Sequence, residues 1–202
     1  MFRLSFLQRF GGVCGFAVPI VAFGCIGVAV GLCSEFSWFN NALSDLGVVS
    51  GVSAPVFNVG LFVSGLLCFF FAVFGLLGYF KKGVGGVVGR VGSIVFGVAA
   101  VWLMGVGIFN ESFWPVHFVV AVLFFVTLPV ALVVLTGALY QCQEVKLAVF
   151  TLVSSFVVAI PWIFYFMVHY VPNVAIPEII SSLVCSFWII IMSYKILKTA
   201  KP

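Results

Sequence analysis

Six stretches of this chain run for about twenty residues or more with almost no charged side chain: residues 10–33, 54–80, 91–109, 116–140, 147–170 and 177–197. A helix rises 1.5 Å per residue, so about 20 residues cross the roughly 30 Å hydrocarbon core of a bilayer. None of the stretches shows the period-two alternation of a barrel strand. In hydrocarbon every backbone N–H and C=O must find a partner within the protein, which a helix does by itself. The runs therefore predict an all-α, polytopic integral membrane protein: a bundle of six transmembrane helices forming one domain over residues 1–202.

Composition agrees, with 64% hydrophobic and only 7% charged residues, against about 25% charged in a soluble domain. The placement of the charges adds orientation. Arg3 and Arg9 precede the first span, Lys81, Lys82 and Arg90 fall between the second and third, Lys146 between the fourth and fifth, and Lys195, Lys198 and Lys201 finish the chain. Six crossings put all nine on one side, so the positive-inside bias predicts a multi-pass protein of the cell membrane with cytoplasmic N- and C-termini. The first run is too long for the 7–15-residue core of a signal peptide and reads as a retained helix. The net charge of +4 forms no basic stripe, which excludes nucleic acid as a partner. The six cysteines include no C-x-x-C pair, and the four inside apolar runs read as small hydrophobes.

The opposite side collects Glu35, Asp45, Glu111, Glu178, His117 and His169, leaving only Glu144 with the cations. Its first connection, residues 34–53, is long and polar enough to carry structure of its own. Glu111 and His117 bracket "SFWPV", and His169 and Glu178 bracket "YVPNVAIP", so each pair lies at helix ends on one surface. Asn58 stands one turn into the second span, where its amide either joins helices or lines the bottom of a pocket. Asp45, Asn58, Glu111, His117, His169 and Glu178 are thus the candidate ligand-binding residues. His117 and His169 with Asp45 and Glu178 would suit zinc or another divalent metal with a position open for water. Glu111 and His117 would then be the catalytic pair, Glu111 acting as general base for that water.

Plainer roles compete. Glu178 follows Pro177 at the positive end of a helix, where a carboxylate is stabilised by the orphan N–H groups. Asp45 is suited to closing a turn, and Pro115 to starting the fourth helix. Gly89, Ser93 and Gly97, and Gly60 with Ser64, recur every four residues, a spacing that lets helices approach closely in lipid.

"NALSDLG", "APVFNVG", "GIFNESFWPVHF" and the Pro177–Glu178 pair together resemble the prokaryotic six-helix membrane family catalogued as domain of unknown function nine-nine-eight, over about residues 8 to 197. The resemblance rests on S-D-L-G, the surroundings of Asn58, and Gly107, Phe109, Glu111 and His117; the chain departs from it with Asn110 where a proline is expected. The layout is distantly similar to the Frag/DRAM/Sfk group of six-helix proteins, which implies a link to lipid handling. The histidine patterns of the alkaline ceramidase and progestin-adiponectin receptor superfamily are absent. The leading expectation is an outward-facing polar pocket that binds or handles a lipid headgroup or small polar ligand, with membrane lipid as the partner. The alternatives are a metal-assisted lipid hydrolase at the outer leaflet and, third, a transporter or channel subunit. The last lacks any carboxylate or histidine near the middle of a span, where a relay belongs.

Overall fold

The computed structural model describes residues 2–80 and 85–200, with side chains from Phe6 onward; Lys81, Lys82, Lys201 and the side chain of Arg3 lie outside the described residues. Six long helices make up the fold: α1 (Phe2–Leu32), α2 (Ser53–Phe80), α3 (Gly86–Ile108), α4 (Val116–Gln141), α5 (Val145–Val168) and α6 (Ala175–Thr199). All six are long and apolar enough to cross a membrane, and no strand occurs among the described residues. The helix ends run beyond the apolar stretches in places. Thus α3 begins at Gly86, five residues before the predicted span, because Arg90 need not end a helix at the membrane surface; its Nε donates to the Gly86 carbonyl at 2.9 Å.

Each helix packs on the next in sequence, and α6 returns to α1, which closes a ring of six. Its centre is aromatic. Phe71 of α2, Phe96 of α3 and Trp188 of α6 meet with ring centroids 5.4–6.3 Å apart, and the Trp188 indole donates to Thr151 Oγ1 of α5 at 2.9 Å. Around Phe71–Leu76 the α2 helix widens into a π-helical stretch, against which α1 packs so closely that a Cβ on Gly11 would lie 2.2 Å from the Gly75 nitrogen.

The small-residue positions serve packing. A Cβ on Gly60 would stand 2.3 Å from that of Cys25, and one on Gly89 would stand 2.2 Å from the Phe80 ring. The Ser64 and Ser93 hydroxyls donate to the carbonyls of Gly60 and Gly89 in their own helices, both at 2.7 Å. Gly97 is looser, 3.6 Å from the Ala72 Cβ.

Ring topology places residues 33–52, 109–115 and 169–174 at one end of the bundle, hereafter the mouth. Arg9, Arg90, Lys146, Lys195 and Lys198 all belong to the other end, where Lys195 and Glu144 make the one ion pair among the described residues. Trp114, 70% exposed, and the exposed Trp38, Phe39 and Phe113 surround the mouth, as aromatic side chains do at the level of lipid headgroups.

Candidate functional site

The long connection between α1 and α2 holds a short 3-10 turn, Leu43–Gly47, with the sequence LSDLG. Asp45 organises it locally: its Oδ2 accepts the Asn41 side-chain amide at 2.7 Å and the Ala42 N–H at 3.0 Å. Leu46 is fully buried and anchors the turn in the bundle. The Gly47 carbonyl accepts from Asn58 Nδ2 at 2.9 Å. A Cβ at position 47 would lie 2.5 Å from Asn58 Oδ1, so glycine is required there for space rather than for backbone freedom.

This connection is strapped across the mouth. The Leu43 N–H donates to Glu178 Oε2 at 2.6 Å, and the Ser44 hydroxyl donates to Glu111 Oε1 at 2.6 Å. Asn173 Nδ2 donates to the Asn40 carbonyl at 3.0 Å, and the Ala175 N–H to the Asn41 carbonyl at 3.1 Å. All three mouth connections are thereby joined through residues 40–44 of the first.

The α3–α4 connection supplies the histidine. Gly107 lies against α2, where a Cβ would be 2.6 Å from both the Asn58 carbonyl and the Phe62 nitrogen. Asn110 takes over the turn expected of a proline by accepting the Ser112 N–H on its side chain at 3.1 Å. His117, in the first turn of α4, places Nδ1 2.6 Å from the Phe109 carbonyl. A carbonyl can only accept, so Nδ1 carries the proton, and Nε2 is the ring's remaining polar atom. It has no hydrogen-bond partner among the described residues although His117 is only 7% exposed.

Beneath the turn lies a cavity offering about 50 Å³ to the centre of a water-sized molecule, room for a few waters where one needs about 10–15 Å³. Its polar lining is Ser44, His117, Glu178 and Ser182; Leu43, Phe57 and Phe124 contribute to its apolar walls. Glu178 is 9% exposed, and its second oxygen has no partner among the described residues. Asp45, Glu111 and Glu178 are close enough to repel one another, and no described lysine or arginine lies at this end to offset them. Burial raises the Glu111 carboxyl above its ordinary range; Asp45 pushes the same way, whereas the Ser44 hydroxyl and His117 oppose the rise.

The geometry brings some of the expected site residues together and keeps others apart. His169 is not drawn into the site: it ends α5 in the left-handed conformation at φ 45, exposed, with its ring 5.6 Å from that of Tyr165. Among the described residues no group of three or more His, Cys, Asp or Glu side chains is placed to hold a metal ion. The expected set of His117, His169, Asp45 and Glu178 is therefore not assembled, since Asp45 is committed to its own turn and Glu178 to Leu43. Glu111 bonds Ser44 at the rim and does not line the cavity. Asn58 ties α2 to Gly47 and does not line it either. Glu178, placed to cap its own helix, reaches across to Leu43 instead. Ser182 is the lining residue that pattern reading missed; it lies four residues after Glu178, on the same face of α6.

Fold and site define a class: a multi-pass membrane protein of six helices whose first connection is strapped by carboxylates over a small, partly polar cavity. The chain belongs to the family described as protein of unknown function (DUF998), whose profile matches residues 16–195. Comparison with curated proteins and with solved structures gives no match.

Proposed function

We propose that the protein sits in the cell membrane with both termini in the cytoplasm, and that its extracytoplasmic mouth binds the headgroup of a lipid or a small polar ligand. One observation carries the binding reading. His117 and Glu178, two polar side chains drawn out of solvent, line a single cavity, and each keeps one polar atom without a partner among the described residues. Both atoms face the cavity, so a single ligand there can hydrogen-bond to them together. Orientation is supported by the sequence, in which six crossings put all nine lysines and arginines on one side.

The direct test is native mass spectrometry of the full chain released from its own membranes in a mild detergent, beside His117→Ala and Glu178→Gln variants. A retained small molecule or lipid in the parent, lost in both variants, is the expected result. A parent without any adduct in several detergents, or one whose adduct survives both substitutions, overturns the proposal.

A further inference from the structure

The hydrogen bonds around the mouth cavity have directions, and those directions restrict what can fill it. The Ser44 hydroxyl gives its proton to Glu111 Oε1, which leaves its oxygen with lone pairs only. The His117 Nδ1 proton is held by the Phe109 carbonyl, which leaves Nε2 of the neutral ring as an acceptor. Glu178 keeps one oxygen besides the one that the Leu43 N–H occupies. That oxygen accepts when the carboxyl is ionised and donates when it is protonated. Ser182 is half-buried, and its hydroxyl has no hydrogen-bond partner among the described residues, so it still has a proton to give. All four residues line the one cavity.

This mixed pattern distinguishes ligand classes. Phosphate and carboxylate oxygens only accept, so they leave Ser44 and His117 without a donor. An ammonium only donates, so it leaves the Ser182 proton without an acceptor. A hydroxyl does both, and it meets Glu178 in either protonation state. Size restricts the ligand further. About 50 Å³ for the centre of a water-sized molecule is space for roughly three to five waters, which a short carbon chain bearing adjacent hydroxyls can replace. Its carbons would meet Leu43, Phe57 and Phe124. Apolar walls with a few placed polar groups are the ordinary form of a small-molecule site.

Resting on the ligand reading above, we propose that the mouth cavity is a site for a short neutral polyol. Its adjacent hydroxyls donate to His117 Nε2 and Ser44 Oγ, accept from Ser182 and pair with Glu178. The diol comes either free, as in glycerol, or as the glycerol end of a lipid headgroup.

His117 reports on such a ligand directly, and the exposed His169 is a control within the same chain. The full chain, labelled with ¹⁵N in histidine, is placed in dodecylphosphocholine micelles, which carry no hydroxyl of their own. Ring nitrogens of both histidines are followed during separate titrations with glycerol, ethylammonium and methyl phosphate. A parallel pair of samples carries phosphatidylglycerol or phosphatidic acid in the micelle. The expected result is a saturable movement of His117 Nε2 with His169 unmoved. Movement with glycerol assigns a free polyol, and movement with phosphatidylglycerol but not with glycerol or phosphatidic acid assigns a lipid-borne one. Ser182→Ala should weaken the response about 2- to 10-fold, the worth of one hydrogen bond. Ser186→Ala, whose side chain lines a different cavity, should leave it unchanged. Movement with ethylammonium or methyl phosphate in place of glycerol, or equal movement with phosphatidic acid and phosphatidylglycerol, overturns the polyol while sparing the binding reading. Equal weakening by both alanine variants, or a His117 unmoved by every probe, also overturns the polyol. The binding reading is judged apart from it, by the adduct in native mass spectrometry, so the two failures are told apart.

Discussion

Replacing Glu178 with alanine removes the acceptor of the Leu43 N–H, one of two links that tie the first connection to the start of α6. Leu43 is 5% exposed, so its amide cannot turn to water unless the turn lifts. A buried donor left without a partner costs about 1–3 kcal/mol, and every 1.4 kcal/mol is tenfold in an equilibrium. Local opening of the Leu43–Gly47 turn should therefore become roughly 5- to 150-fold more frequent. Hydrogen exchange of peptides covering residues 40–47 reads this directly, since such opening is sub-global. Whole-protein melting is a poorer readout, because alanine also relieves the repulsion that Glu178 shares with Glu111 and Asp45. Glu178→Gln keeps an acceptor of the same reach and should show a clearly smaller increase. Unchanged exchange in Glu178→Ala, or an increase in Glu178→Gln as large as in the alanine variant, would refute the reasoning.

The same site makes three further predictions. In Gly47→Ala the new methyl would meet Asn58 Oδ1 at 2.5 Å, so the Asn58–Gly47 tie must give; a loss of about 1–3 kcal/mol, read as a lowered Tm in detergent, is expected, and an unchanged Tm would contradict the packing. Glu111 binds its proton more tightly folded than at its ordinary value of 4.5, so its contribution to stability is complete below about that pH and is lost as pH rises through its raised pKa. The parent's Tm should decline across that interval more steeply than that of Glu111→Gln, and parallel curves would exclude the effect. Finally, with the half-exposed Cys25, Cys33 and Cys142 replaced, an impermeant maleimide should label Ser112→Cys in intact cells, and Lys198→Cys only after permeabilisation; the reverse pattern would invert the topology.

The apolar runs made the six helices legible, because bilayer thickness translates into a length of chain with little room for alternatives. Helix ends were less so: hydropathy stops at Arg90 or Arg9, whereas a helix continues through a charged residue that reaches the membrane surface. S-D-L-G was recognisable as a turn, and Glu111 with His117 as neighbours in one connection. What the glycines do there depends on space across helices, visible only once Asn58 stands against Gly47 and Gly107. His169 looked equivalent to His117 by its position at a helix end. A left-handed final residue, however, directs its ring to Tyr165 rather than into the bundle, and nothing in the local sequence announces that turn. Ser182 was hidden among other small polar residues of α6, most of which bond backbone or fill space. Only its spacing from Glu178 distinguishes it.

The account stands on the claim that the cavity under Leu43–Gly47 is a ligand site. The most direct measurement is an experimentally determined structure of the full chain in nanodiscs formed from its native membranes, at a resolution that shows side-chain contacts. Non-protein density within about 2.6–3.2 Å of both His117 Nε2 and Glu178 is the predicted result. A cavity collapsed by Phe124, or one holding only water under those conditions, would contradict it.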